Sequence, residues 1–120
     1  ISMLSAALGT ALDIKPVLRG YRGDTGPVAK IKGFDPAVEK MFDFAARRVQ
    51  AGGLMTPTVT LCYGGHLGEM RALPGYERLR NACADQNVEV YESVMSTTGM
   101  VNVGRGAVVV GFAAKDHDFD

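Results

Sequence analysis

The pattern of apolar and polar residues is clearest after Asp35, where it predicts an amphipathic helix. Asp35 and Pro36 are typical of an N-cap and of the first helical position, and Gly52-Gly53 is typical of a helix end. Charged residues occupy the opposite face from the apolar ones. The apolar positions, which recur at three- and four-residue steps, are Val38, Met41, Phe42, Ala45 and Val49. This periodicity makes the segment a strongly predicted element.

A second helix is predicted to be interrupted at Pro74-Gly75 or to begin there, and a third helix to cover Ile1–Leu12. The second carries its apolar residues on one face, namely Tyr76, Leu79, Ala82 and Cys83. In the third, Leu4, Leu8 and Leu12 lie one turn apart and no charge precedes Asp13, so the helix is apolar nearly all round. Such a helix either lies in the core or faces another domain or an apolar ligand.

Alternating and β-branched segments predict the strands. Ile14–Arg22 and Pro27–Lys32 form a hairpin around a turn at 23–26, and Pro16 implies an edge position or a bulge. Further strands are predicted at Thr56–Tyr63, Asn87–Met95 and Ala107–Phe112, with Val88, Val90 and Val94 opposed to Glu89 and Glu92. The tail Lys115–Asp120 has no pattern and is predicted to fray.

Helices interspersed with a hairpin and a terminal strand predict an α+β fold. We expect a mixed or mostly antiparallel sheet with helices packed on a face. The 120 residues leave room for one domain, covering 1–120. Because the chain starts at Ile1 without a polar lead-in, we expect it to be a segment of a longer protein.

Composition excludes several classes of function. Thirteen basic residues balance 13 acidic ones, which does not favour nucleic-acid binding, and no apolar run is long enough for membrane insertion. Cys62 and Cys83 lie far apart, without a Cys-x-x-Cys motif, so neither zinc nor a disulfide framework is expected. A reducing cytoplasm is the expected location.

A glycine-rich segment runs from Ser96 to Phe112, with glycines at 99, 104, 106 and 111. It lacks the Gly-Lys-Ser/Thr ending of a P-loop, and no helix-forming stretch follows it as in a Rossmann turn. A tight turn that feeds a buried strand is the simplest interpretation, and phosphate binding is the alternative.

The predicted hairpin is locally basic, with Asp24 as its opposing charge. Its cations are Lys15, Arg19, Arg22, Lys30 and Lys32. Such a cluster is either a solvated face or a docking surface for an acidic partner or a phosphorylated group.

Two segments resemble the DegV family. Leu8–Leu18, a Gly-Asp turn and Lys30–Gly33 resemble that family's helix, its Leu-Asn-Ile-Lys-Pro-Ile-Leu strand and its Lys-Val-Arg segment. Asn102–Phe112 resembles the family ending His-Thr-Gly-Pro-Gly-Ala-Leu-Gly-Val-Ala-Phe. Both signatures occur in the family's order, so the resemblance extends over most of the chain and is weakest between 54 and 95.

The resemblance implies a two-domain bacterial protein that binds one long-chain fatty acid between its domains. Some members resemble the acyl-carrying partner of a fatty acid kinase, which phosphorylates the bound carboxylate. This chain would be the C-terminal, lid-like domain, and the N-terminal domain would supply hydroxyl groups to the carboxylate. The implied role is binding without catalysis, so we expect no catalytic residue, cofactor or metal.

The resemblance also assigns site residues. The family histidine falls on Asn102, the proline between the loop glycines on Arg105, and the arginine associated with the kinase encounter on Lys32. Asparagine can donate a hydrogen bond but carries no charge, so our hypothesis is that Asn102 orients the head group while Arg105 neutralises it. The implied ligand-binding residues are Asn102, Val103, Gly104, Arg105, Gly106, Leu4 and Leu8, and the implied docking residues are Lys30 and Lys32.

Two other functions stay open at this point. One is a phosphate-handling enzyme subunit, related to dihydroxyacetone kinase, that uses the glycine loop with Lys32 and Arg105. Against this function, the sequence offers no metal-binding carboxylate cluster and no clear general base near the loop. The other is a protein-docking module that presents an apolar helix face and the basic hairpin.

Overall fold

The computed structural model describes residues 13–99, 106–115 and 117–120. The predicted helix Ile1–Leu12 and most of the glycine-rich loop lie outside these residues. In chain order the elements are β1 (Ile14–Tyr21), β2 (Asp24–Lys32), α1 (Phe34–Gln50), β3 (Thr58–Tyr63), α2 (Leu67–Arg71), α3 (Tyr76–Asp85), β4 (Glu89–Val94) and β5 (Val108–Gly111).

A three-stranded mixed sheet forms the centre of the described fold, in the order β4-β3-β5. β4 pairs with β3 in parallel, and β5 pairs with β3 antiparallel, so that Leu61 lies between Glu92 and Val110. The parallel pairing follows from the connection through α2 and α3, since parallel neighbours need a crossover. The predicted α+β class with a mixed sheet is confirmed.

Strands β1 and β2 form a separate antiparallel hairpin. Its loop consists of Arg22 and Gly23, whose φ angles of 50° and 85° suit the type I′ turn that matches the twist of paired strands. The predicted turn at 23–26 was therefore too long. Val17 pairs with Ala29 and Leu18 with Pro27, which leaves Val28 at a bulge. The expected edge or bulge near Pro16 is confirmed, because both strands of the pair are edges.

Helix α1 begins two residues earlier than the sequence predicts. Gly33 is the N-cap and Asp35 lies in the first turn, so the prediction of Asp35 as the cap is wrong. The Gly33 carbonyl accepts a hydrogen bond from the Ala37 N–H at 3.4 Å, and the Gly33 N–H donates to the Asp13 carbonyl at 2.9 Å. The backbone pairing that closes the hairpin thus fixes the start of the helix. Ala51 is the C-cap and Gly52 follows with φ 71°, as predicted for the end.

The core lies between one face of the three-stranded sheet and the helices. Phe42, Leu61, Met70 and Leu79 are fully buried there. The Phe42 and Tyr76 rings meet edge to face with centroids 6.2 Å apart. The predicted inward residues of α3 are all buried. The short helix α2 precedes Pro74-Gly75 and α3 follows it, so of the two predicted alternatives the helical region is interrupted there.

Two predictions of exposure fail. On β4, the Glu92 side chain is only 13% exposed, because residues 90 and 92 share the face that α2 and α3 cover. Val94 is the last residue of the strand and is 56% exposed. The tail, predicted to fray, packs against α1 through its described residues 117–120. The Phe119 ring packs on Phe44 with centroids 4.7 Å apart, and the Asp120 carboxylate accepts a hydrogen bond from Arg47 at 3.2 Å.

Gly75 permits the close approach of α3 to α1, and this gives a stability prediction. Its φ is 88°, and an added Cβ would lie 3.0 Å from Cβ of Phe42. Gly75→Ala should lower the free energy of unfolding by about 1–3 kcal/mol, as measured by urea denaturation. Gly68→Ala is the matched control, because Gly68 is helical and its Cβ would meet nothing within 4 Å. That variant should be neutral or stabilising by up to about 1 kcal/mol, and equal losses in both variants would contradict the argument.

Candidate functional site

An apolar groove of about 410 Å³ lies between the hairpin, helix α1, strand β5 and the tail. We define it by its walls, which come from four segments far apart in the sequence: 17–22 with Val28, then Met41, Phe44 and Ala45, then 110–114, and finally His117 and Phe119. Its volume is in the range of small-molecule sites, about 300–1,000 Å³.

Small residues and a bulge create this space. Gly111, Ala113 and Ala114 form one wall. On the opposite wall the bulge turns Val28 into the lining and leaves it 38% exposed. The local sequence therefore keeps the groove open, since larger side chains here would fill it.

Aromatic rings enclose the tail side of the groove. Phe44 lies 6.3 Å from Phe112 and 4.7 Å from Phe119, measured between ring centroids. The His117 ring stacks on Phe112 at 5.8 Å, and its Nδ1 lies 2.7 Å from the Lys115 carbonyl oxygen. These aromatic residues all contribute to the groove lining.

The hairpin end of the groove is polar. Arg19, Tyr21 and Arg22 line it, and both guanidinium carbons lie over the Tyr21 ring, at 4.8 Å for Arg19 and 5.1 Å for Arg22. We call this set the arginine pair. The groove is therefore amphipathic, with hydrocarbon walls and two cations at one end.

A second polar cluster joins α2, α3 and β4. Arg71 donates to the Glu92 carboxylate at 2.9 Å, and the Tyr76 hydroxyl donates to its other oxygen. Burial works to raise the pKa of Glu92, but the hydrogen bonds from Arg71 and Tyr76 and the charges of Arg71 and Arg80 outweigh it and lower the pKa. Burial and the neighbouring Glu92 raise the pKa of Tyr76. Because the charges are balanced and the partners are all within the fold, this cluster stabilises the packing.

The residues assigned from the resemblance have different outcomes. Leu4, Leu8 and the segment Asn102–Arg105 lie outside the described residues, so their roles stay predictions. Gly106 is described, at the base of the loop, where its N–H donates to the Gly64 carbonyl at 3.0 Å and its φ is 77°. It does not line the groove. Lys30 and Lys32 are exposed on β2, also away from the groove lining.

Sequence reasoning missed several groove residues. Phe44 falls outside the predicted apolar stripe of its helix, and His117 and Phe119 belong to the tail that was predicted to fray. The aromatic residues in an otherwise polar tail were the available signal, because disordered polar segments contain few aromatic residues. The predicted strand Ala107–Phe112 did identify one wall correctly, through Val110 and Phe112.

Among the described residues, no group of three or more His, Cys, Asp or Glu side chains is arranged to hold a metal ion. None of the helices described is long and apolar enough to cross a membrane.

A hairpin, a helix and a mixed sheet around an apolar groove define the class, an α+β domain with a cavity of ligand size. The family model described as "Uncharacterised protein, DegV family" matches residues 1–115. The chain belongs to the DegV family, as its two terminal segments predicted.

Two relatives support this assignment. A DegV domain-containing protein of Xanthomonas campestris pv. campestris is 61% identical over 119 residues, which cover 99% of this chain and 38% of the relative. A DegV domain-containing protein of Xanthomonas axonopodis pv. citri matches with the same identity and coverage. The chain thus spans about two fifths of the length of the curated relatives it matches.

The lowered pKa of Glu92 gives a prediction for the pH dependence of stability. A carboxylate whose pKa is lower when folded stabilises the protein above its unfolded pKa, and this contribution is lost as pH falls through the folded pKa. Glu92→Gln should therefore be less stable than the parent at pH 7 but show a smaller loss of stability on acidification below about pH 5. Urea denaturation between pH 7 and pH 3 measures this.

Glu77→Gln, on the exposed side of α3, is the matched control. It should keep the parent's pH profile. A Glu92→Gln profile that runs parallel to the parent's at every pH would contradict the role of the ion pair.

Proposed function

We propose that this chain binds a long-chain fatty acid and contributes one half of the acyl site. The groove beside α1 is the observation that carries the proposal, because it combines apolar side chains with cationic groups in one lining. Membership of the DegV family supports it through the fatty-acid binding that the resemblance implies. The proposed role is carriage of the acyl chain, without catalysis by this domain.

The energetics favour a closed, two-part site. Burying a 16-carbon chain at about 0.8 kcal/mol per methylene would give on the order of 12 kcal/mol, before association costs remove several. Such a gain requires that water is excluded along the whole chain. The remaining length of the relatives, beyond the two fifths matched here, is where we expect the covering N-terminal domain.

The head group has proposed contacts from the glycine-rich loop. Asn102 would orient the carboxylate and Arg105 would neutralise it, while Val103, Gly104 and Gly106 shape the loop. Gly106 supports this arrangement, since its hydrogen bond to Gly64 attaches the loop base to the end of β3. Leu4 and Leu8 would contact the acyl tail. The proposed location is the cytoplasm, a setting that the two free thiols support.

Adjacent residues of β5 allow a sharp test of the acyl site. Val110 lines the groove, whereas Val109 points to the opposite face and is 48% exposed. Val110→Thr keeps the side-chain volume but puts a hydroxyl in the lining, so it should weaken palmitate binding by the full-length protein by about tenfold. Titration calorimetry on purified, delipidated protein measures the affinity.

Val109→Thr is the matched control and should bind as the parent does. Native mass spectrometry of the full-length protein should also detect a retained acyl chain, and Arg105→Ala in the same titration measures the loop contribution. Absence of any acyl chain, together with no palmitate binding, would contradict the proposal and favour a docking role. Equal losses for both threonine variants would place the acyl site elsewhere.

The exposed lysines of β2 extend the proposal to a partner. Lys30 and Lys32 would dock a fatty acid kinase that phosphorylates the bound carboxylate. Lys30→Glu/Lys32→Glu should lower the rate of acyl phosphate formation by a fatty acid kinase from the same organism, by about tenfold at physiological salt, with palmitate affinity unchanged. A normal rate in this double variant would remove the two lysines from the encounter.

A further inference from the structure

The tail residues 117–120 form one side of the groove, and they are attached to the domain differently from the strand before them. Backbone pairing continues as far as Ala114, which forms a bridge with Leu54, and the Ala113 carbonyl accepts a hydrogen bond from the Met55 N–H at 2.8 Å. Within the described residues, no backbone–backbone hydrogen bond joins 117–120 to the rest of the domain. Contacts that involve side chains therefore hold this segment in place.

The Phe119 ring makes the apolar part of these contacts. It lies on Phe44, with the ring centroids 4.7 Å apart, and Nζ of Lys40 lies 5.8 Å from the centroid of the same ring. Phe119 and His117 both belong to the groove lining, and neither is fully buried. Movement of the tail away from α1 would therefore remove one wall of the groove.

Two arginines of α1 make the polar contacts with the tail. Arg47 donates to the Asp120 carboxylate at 3.2 Å, and Arg48 lies 3.9 Å from the same carboxylate. Arg48 also donates to the Asp118 carbonyl at 3.2 Å. The side chains of Asp120 and Arg47 are 61% and 40% exposed, so water and salt screen the attraction between them. These charged contacts are therefore weak and sensitive to salt.

The tail and the sheet differ in the free energy that their opening requires. A segment with few buried contacts and exposed polar bonds opens locally at low free energy, while the core stays folded. The strand that precedes the tail is paired with Leu61, which is fully buried. The tail can leave α1 without separating any pair of strands, so its opening requires much less free energy than unfolding of the sheet.

We propose that residues 117–120 form a strap that closes the tail side of the groove and opens by local unfolding while the sheet stays folded. Arg47 and Arg48 hold the strap through Asp120, so the ionic strength determines how often it is open. The role of the strap in ligand exchange rests on the proposed acyl site. With the strap open, an acyl chain leaves the groove sideways, and the hairpin stays in contact with α1.

A fluorine reporter measures the opening of the strap. 4-Fluorophenylalanine replaces the phenylalanine at position 119 of the full-length protein, where the Phe44 ring shifts the fluorine resonance only while the strap is closed. The substitution is made in the tail, since Arg47 also contacts Asp43 within α1. Asp120→Asn should increase the open population by about threefold, because it removes the charge that both arginines contact. Salt raised from about 50 to about 500 mM should open the parent similarly and this variant much less.

Asp118→Asn is the matched control, because it removes the same charge two residues away and Asp118 contacts Arg48 through its carbonyl. It should keep the open population of the parent. Equal effects of the two variants would mean that the net charge of the tail determines the population, which would overturn the proposal. A parent fluorine signal identical to that of the unfolded protein would also overturn it, because the tail would then not pack on α1.

Release kinetics connect the strap to the groove. The full-length protein is loaded with a fluorescent fatty acid and mixed with excess phosphatidylcholine vesicles, and the transfer is followed by stopped flow. Asp120→Asn should release the ligand about threefold faster, in proportion to its open population, and Asp118→Asn should match the parent.

A larger open population without faster release would overturn the strap as the route of exchange and leave the acyl site intact. If the parent does not bind the fatty acid, the proposed function fails. The fluorine signals then decide by themselves whether the tail opens while the sheet stays folded.

Discussion

Helix α1 is covered on two sides, and the position of the groove depends on this arrangement. Phe42 points into the core between the sheet and α3, where it meets Tyr76 edge to face. Phe44, two residues later and about 200° around the helix axis, points toward the hairpin and the tail. The first contact fixes the helix on the sheet. The second leaves an apolar surface that the hairpin covers only in part, and the groove is the space between them.

Long periodic segments and local turn chemistry made much of the fold predictable. The apolar stripe of α1, the inward face of α3 and the hairpin follow from spacings within a few residues. The features that differ from the prediction depend on contacts between different elements. Gly33 replaces Asp35 as the cap because the end of the hairpin fixes the start of the helix, and Glu92 lies inward because Arg71 and Tyr76, from other elements, satisfy its carboxylate. Such tertiary contacts leave no periodicity or motif in the sequence of any one segment.

The groove was harder to predict than the fold for the same reason. Its walls come from residues near 20, 44, 111 and 118, and no single segment has the composition of a binding site. The resemblance to DegV proteins directed attention to Asn102 and Arg105, which belong to one short motif. The strand wall that includes Val110 was predictable because an apolar run is typical of a strand that is covered on both faces or that forms a pocket wall. The exposure of Val109 on the opposite face leaves the second alternative. The contribution of Phe119 was not predictable, because its contact with Phe44 depends on the tertiary fold that brings the tail next to α1.

The two charged clusters differ in a way that separates stability from binding. Arg71 has its counterion within the fold, so Glu92 is held ionised and the elements around it are fixed together. Arg19 and Arg22 are held by a ring instead of a carboxylate, which restricts their position without neutralising their charge. The register of the hairpin determines this outcome. A turn one residue longer would shift the register of the hairpin by one residue and move Arg19 and Tyr21 to its other face. The two-residue turn at Arg22-Gly23 therefore sets both the wall of the groove and the charge at its end.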